Sequence, residues 1–269
     1  MIIRTLITFI LFISISLVAY ASNALPADLQ FKGQPIDTLC FNDIPKNNKI
    51  ALNNCGAAKE KYNIKSKNDE LIAKGYIGYD WQDSTMPAEI SGYSYYRFFK
   101  ANEKHYWIYA LNNGGGSGDF TSVYLVQRIN GNTLAVQLVT GGDRCNGGVQ
   151  DVIVNNGKLS YSVNLTAYDL ATITKTHTKP IKAYDDLAAC AVCCVAKAYY
   201  QADTEAKTNK LDYVQLEKAA AVSEMPDQGK YQACFNEIAM DYIKKSQSKL
   251  EPEALNTFVK KFVSQCIKS

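Results

Sequence analysis

Two Asn-Gly pairs, Asn130-Gly131 and Asn156-Gly157, stand between stretches in which apolar and polar side chains alternate. Asparagine and glycine both take positive φ cheaply, and a tight type I′ turn between antiparallel strands needs that. Val123, Leu125 and Gln127 lead into the first pair, and Leu134, Val136 and Leu138 leave it. Val152-Ile153-Val154 and Leu159-Ser160-Tyr161-Ser162-Val163 flank the second. Upstream, Tyr93, Tyr95, Arg97 and Phe99 alternate with Ser94, Tyr96, Phe98 and Lys100. The polar break 101–104 follows, and then Tyr106, Ile108 and Ala110 alternate with Trp107, Tyr109 and Leu111. Consecutive hairpins predict an antiparallel meander that closes as a sandwich or barrel. Apolar residues on both faces of several strands predict two packed layers.

Near Lys179-Pro180 the chain changes character, and alanine, lysine and helical spacing take over. Leu255, Phe258, Val259, Phe262, Val263 and Cys266 recur at steps of three and four behind Pro252, which suits a first helical turn. Tyr231, Cys234, Phe235, Ile238 and Tyr242 form a second stripe. A helix capped by Asp185 or Asp186 and running through Tyr199-Tyr200, and another from Val214 to Val222, complete a small helical bundle. The expected fold is α+β. Residues 1–21 are a signal peptide, 25–180 a β-rich domain, and 185–269 an α-helical, cysteine-containing domain clamped by disulfides.

The leader reading rests on Arg4, an apolar run from Leu6 to Ala19, and Ala19-Tyr20-Ala21, which places small residues where a signal peptidase reads them. The run is shorter than the roughly 20 residues of a spanning helix. Export to a periplasm or the cell exterior follows, with no membrane insertion after cleavage. The chain carries 29 basic and 26 acidic residues, net +3. That balance gives no reason to expect nucleic acid as a partner.

In an exported chain, eight cysteines point to disulfides before metal thiolates. Cys40 and Cys55 are placed to close a local loop. Cys190 and Cys194 share a face if helical, and are expected to pair with Cys234 and Cys266 in some order. Cys145 and Cys193 then remain, either tying the two regions together or standing as free thiols. Cys190-Ala191-Val192-Cys193 has the spacing of a redox dithiol. It follows no buried strand, however, and the neighbouring Asp185 and Asp186 disfavour a thiolate. His105 and His177 lie outside the cysteine cluster, so no metal and no cofactor is expected.

Two glycine-rich segments draw attention. Asn112 to Asp119 lacks the Lys-Ser/Thr ending of a phosphate loop, which favours a flexible hairpin connection. Gly141-Gly142-Asp143-Arg144-Cys145-Asn146-Gly147-Gly148 places a carboxylate and a guanidinium fork between glycine pairs. Loops on a rigid sheet are frequent binding surfaces. Tyr95 and Trp107, among crowded aromatics, join Asp143 and Arg144 as candidates for contact with a protein or glycan partner. No Gly-x-Ser-x-Gly elbow occurs, and nothing pairs Glu60, Glu70, Asp80 or Glu89, so no catalytic residue is named. The reading is therefore an exported, disulfide-stabilised binding protein, inhibitor-like or facing a host or envelope. The alternatives are an exported hydrolase using carboxylates of the β region, or a thiol–disulfide or metal protein using the Cys190–Cys194 cluster.

Overall fold

The computed structural model describes residues 25–42, 44–85, 90–142, 148–174, 180–204, 209–217 and 229–267. The leader segment lies outside them. A short hairpin of β1 (Gln30–Phe31) and β2 (Gln34–Pro35) opens the described chain. A seven-stranded antiparallel sheet follows. Its strands are β3 (Lys49–Ala51), β4 (Tyr62–Ser66), β5 (Ile77–Asp83), β6 (Ser91–Lys100), β7 (His105–Asn113), β8 (Phe120–Asn130) and β9 (Thr133–Gly142). They lie in the order β3-β9-β8-β7-β6-β5-β4. The short helix α1 (Asp69–Ala73) joins β4 to β5.

A five-stranded antiparallel sheet has the order β10 (Val149–Asn155), β11 (Lys158–Thr166), β12 (Cys194–Ala202), β13 (Asn209–Leu216), β14 (Lys249–Leu250). The helices α2 (Ala167–Thr172), α3 (Gln232–Lys244) and α4 (Pro252–Cys266) accompany it.

The aromatic hairpin forms as expected, with β6 and β7 in register from Tyr93 opposite Asn113 to Lys100 opposite Tyr106. Of the two Asn-Gly turns, Asn156-Gly157 takes positive φ at both residues, +50° and +78°. A side chain at Gly157 would also strike the Ala101 carbonyl, so glycine is required there twice over. Asn130-Gly131 behaves differently. Asn130 is still paired, opposite Thr133, and its side-chain oxygen accepts the Asn132 N–H at 2.9 Å. Neither Asn130 nor Gly131 has positive φ. A register shift between Arg128 and Asn130 absorbs the difference.

Alternation along the strands splits the first sheet between two cores. Tyr96, Ile108, Tyr124, Val126 and Leu134 face the N-terminal segment and pack on Leu29, Ile36, Phe41, Ile50 and Leu52. The Tyr96 hydroxyl donates to the Ile36 carbonyl at 3.1 Å, and Tyr124 to that of Phe41 at 3.0 Å. Trp107 and Val123 point the other way, against Val149, Leu159, Tyr161 and Ala202 of the second sheet. Farther along the second sheet, Leu165, Ala196, Ala198, Val214 and Leu216 pack on Leu170, Phe235, Ile238, Leu255, Phe258 and Phe262 of the helices.

Both apolar stripes found near the C-terminus are helices, and Pro252 sits in the first turn of α4. The helical reading of 185–269 otherwise fails where it can be followed, and no small bundle is present among the described residues; residues 218–222 of the expected Val214–Val222 helix lie outside them. Tyr199 and Tyr200 lie in β12, and Val214 in β13. Asp186 accepts the Lys182 N–H at 2.8 Å within a turn instead of capping a helix. The alanines misled because they are strong helix formers in isolation. Here Ala196, Ala198 and Ala202 recur at period two, on the buried side of a strand whose neighbours β11 and β13 offer full ladders. The second sheet thus runs across residue 180, pairing β11 with β12.

Three disulfides join described residues: Cys40–Cys55, Cys190–Cys193 and Cys234–Cys266, with Cα separations of 5.2, 5.1 and 5.8 Å. The local loop at Cys40–Cys55 is as expected. The expected pairing of Cys190 and Cys194 with Cys234 and Cys266 is not found. Cys234 and Cys266 bond each other and staple α3 to α4. Cys190 closes on Cys193 because residues 190–193 form a turn ahead of β12, not a helix that would align Cys190 with Cys194. Cys194 is itself disulfide-bonded, and Cys145 lies outside the described residues.

Candidate functional site at the glycine-rich end of the first sheet

The two glycine-rich segments, 27 residues apart at their first glycines in sequence, meet in space. The first connects β7 to β8 and the second connects β9 to β10. Strands β8 and β9 are neighbours, and Thr121 lies opposite Gly142. Thr121 is buried, and its hydroxyl works in both directions. It donates to the Val149 carbonyl at 2.9 Å and accepts the Val149 N–H at 2.6 Å. The second segment therefore leaves β9 and enters β10 beside one threonine. Gly148 has φ +48°, and a Cβ there would stand 2.1 Å from the Gly142 carbonyl oxygen. The stems approach closely enough to demand glycine. Asp143 and Arg144 fall between these stems and outside the described residues, as does Cys145.

Alternation sends the adjacent Asn112 and Asn113 to opposite sides of β7. The Asn112 side-chain oxygen accepts from Ser94 Oγ at 2.7 Å and from Asn42 Nδ2 at 3.1 Å, tying the sheet to the N-terminal segment. Asn113 organises the first glycine loop from within. Its Oδ1 accepts the Gly115 N–H at 2.8 Å. Its Nδ2 faces the carbonyls of Gly116 and Gly118 and the Asp119 carboxylate at 3.2, 3.1 and 3.0 Å. A glycine N–H that an anion cradle would present is thus already taken. The segment is a hairpin connection, as expected, but one shaped by Asn113 where a flexible one was expected.

At its end, the Asp119 carboxylate also accepts the Tyr93 hydroxyl at 2.5 Å. Burial and that carboxylate both push the Tyr93 phenol well above its ordinary range. Phe120, the next residue, is 46 % exposed. An exposed aromatic thus stands beside the pinned base of the second loop. Sequence reading passed over Asp119 and Asn113. The signal was the Asn-Asn pair opening the glycine run and the aspartate closing it.

The aromatic candidates occupy other ground. Tyr95 is 0 % and Trp107 1 % exposed, so both are core side chains and neither offers a ring to a partner. The Tyr95 hydroxyl donates to Asp80 at 2.9 Å and accepts the Asn68 N–H at 2.7 Å. Burial, aided by Asp80 and opposed by that N–H, pushes its pKa up to about 12. The Trp107 indole N–H donates to the Gly157 carbonyl at 2.8 Å. Half-buried aromatics do occur on the second sheet, where Tyr199 and Tyr213 stack at 4.4 Å and the Lys249 ammonium covers Tyr213. Their faces are spent on each other and on that cation.

The carboxylates raised for a hydrolase are held separately. Glu70 pairs with Lys74 within one helical turn, and Asp80 accepts from Tyr95 and from Ser66. Glu89 and His177 lie outside the described residues, while His105 contacts Asn102 on the surface. Among the described residues, no group of three or more His, Cys, Asp or Glu side chains is arranged to hold a metal ion. Among them, too, no helix is long and apolar enough to cross a membrane. Asn164-Leu165-Thr166 has the spacing of an N-glycosylation acceptor but is withdrawn in the folded chain. Asn164 is 9 % exposed, and Thr166 is buried as both cap and capping box of α2.

No protein-family model, curated protein or solved structure matches this chain.

Proposed function

We propose that the chain is an exported, disulfide-stabilised binding protein. It engages a macromolecular partner, protein or glycan, through the glycine-rich end of its seven-stranded sheet. The observation that carries this reading is that the second glycine-rich connection enters β10 on one buried threonine, Thr121, just past the end of the first, with Asp143 and Arg144 lying in sequence between its glycine stems. A recognition segment on a fixed base loses less freedom on binding than one hung from a mobile base. Arg144 supplies a planar donor fork for carboxylate or phosphate groups, and Phe120 and Asp119 stand on the neighbouring stem. Three disulfides and the absence of a membrane-spanning helix among the described residues are compatible with export. Cysteines 40, 55, 190, 193, 234 and 266 are taken pairwise. Cys145, adjacent to Arg144, is proposed as the mate of Cys194. Such a bond would moor the recognition segment to β12.

The test compares native protein with the double variant Asp143→Ala/Arg144→Ala. Immobilised on beads, each is exposed to solubilised surface protein and glycan fractions, and its urea midpoint is measured in parallel. The expected result is an unchanged midpoint together with loss of most of the bound partner, about tenfold for a lost bidentate contact. Equal retention by the two proteins would remove this loop from the recognition surface.

A further inference from the structure

A cleft remains beside β5, next to the β4 edge of the first sheet, remote in sequence from the glycine-rich loops. It has a volume of about 440 Å³, within the range of small-molecule sites. It lies between the β1–β2 hairpin and the segment formed by α1 and β5. Pro35 and Tyr79 bound one side, Ile72 and Tyr76 another, and Lys59 and Lys67 also line it.

The walls are apolar for a structural reason. Helix α1 has only five residues and buries none of them, so Ile72 is left 39 % exposed at the cleft instead of packing on the sheet. Opposite it, the N-terminal segment is fixed by Asp37. That carboxylate accepts the Leu39 N–H at 3.0 Å, caps the short turn that follows, and accepts the Tyr79 hydroxyl at 2.9 Å. Lys59 approaches it at 3.4 Å and lies over the Tyr79 ring at 4.8 Å.

The charge account then decides the ligand. Asp37 is the carboxylate among the residues lining the cleft, and its valences and its charge are spent on Leu39, Tyr79 and Lys59. It is not available to a cationic guest. Lys67 lines the same cleft, is exposed, and forms no ion pair among the described residues. The cleft is left with the Lys67 charge beside exposed Ile72 and half-buried Tyr76, whose ring also meets the Arg97 guanidinium at 5.2 Å. We infer that it is a binding site for a small amphiphilic anion, a carboxylate carried on an apolar body of aromatic size. The carboxylate would meet Lys67, and the apolar body would cover Ile72 and Tyr76. Covering Ile72 supplies hydrophobic free energy, and the carboxylate–ammonium contact fixes orientation.

The probe is 2-naphthoate, with 2-naphthalenemethanol as its uncharged counterpart. Each is titrated into the full disulfide-bonded protein, and amide chemical shifts are followed by NMR. The inference predicts saturable shifts at Ile77, Gly78 and Tyr79. It predicts affinity about fivefold weaker for Lys67→Gln and for the uncharged probe, the scale of one exposed ion contact. Ile72→Glu places a like charge on the apolar wall and should reduce binding by at least about tenfold. Both substitutions are at exposed positions, so folding is expected to survive them, and the amide spectrum reports that directly. Three results would overturn the inference: no saturable shifts, shifts centred elsewhere, or equal affinity for charged and uncharged probes. Undiminished binding in either variant would overturn it as well.

Discussion

Trp107→Ala should lower the free energy of unfolding by about 4 kcal/mol, the usual range for truncating a buried aromatic being about 3–5 kcal/mol. The side chain is 1 % exposed and stands where the two sheets meet, among Val123, Val149, Leu159, Tyr161 and Ala202. Its indole N–H also satisfies the Gly157 carbonyl in the turn between β10 and β11. Removing it opens a cavity between layers held apart by rigid backbones, which collapse only in part. Trp107→Phe separates the contributions. It keeps most of the ring and loses the hydrogen bond, and should cost about 1–2 kcal/mol. Urea denaturation of the three proteins decides the matter. If Trp107→Ala left the urea midpoint within error of the native value, Trp107 would not join the sheets, and its place among surface contacts would reopen.

Replacing Cys234 and Cys266 together with serine should cost about 4 kcal/mol, the value the chain-entropy model gives for a loop of this span. The bond encloses 32 residues and fastens α3 to α4. The helices keep their mutual packing without it. Phe235 meets Phe258 and Phe262 edge-on at 5.8 and 5.5 Å, and Tyr242 meets Phe258 at 5.1 Å. The double variant should therefore fold, with unchanged far-ultraviolet circular dichroism and a lower urea midpoint. The Cys40–Cys55 bond, enclosing 15 residues, should matter somewhat less, at about 3 kcal/mol. A loss below about 1 kcal/mol for Cys234/Cys266 would mean that the unfolded chain is already constrained, or that the bond is offset elsewhere.

How far the sequence carried the fold depended on how local the cause was. The β6–β7 hairpin and helices α3 and α4 follow from alternation, three-and-four spacing and the N-terminal proline, all encoded within a few residues. β12 does not. Its Ala196, Ala198 and Ala202 are strand residues only because β11 and β13 lie on either side, a fact of tertiary structure that no local window contains. The disulfides followed the same division. Cys40–Cys55 closes a short loop and was legible, whereas the Cys190 assignment depended on a helix that does not form. At the site, glycine composition marked both loops. Their meeting at Thr121 depends on β8 pairing with β9, and β10 continuing from it, which composition does not state. Tyr95 and Trp107 were read as contact residues because alternation gives faces without saying which face is covered. In this sheet Trp107 is covered by the second sheet, and Tyr95 is buried with its hydroxyl on Asp80 and Asn68.

Peptide mapping of the exported protein without reduction tests the central claim most directly: an exported chain whose recognition loop is moored by cysteine. The account predicts a mature N-terminus at Ser22 and the links Cys40–Cys55, Cys190–Cys193 and Cys234–Cys266. It further predicts Cys145 linked to Cys194. A retained leader, a free Cys145 thiol, or Cys190 joined to either Cys234 or Cys266 would contradict it.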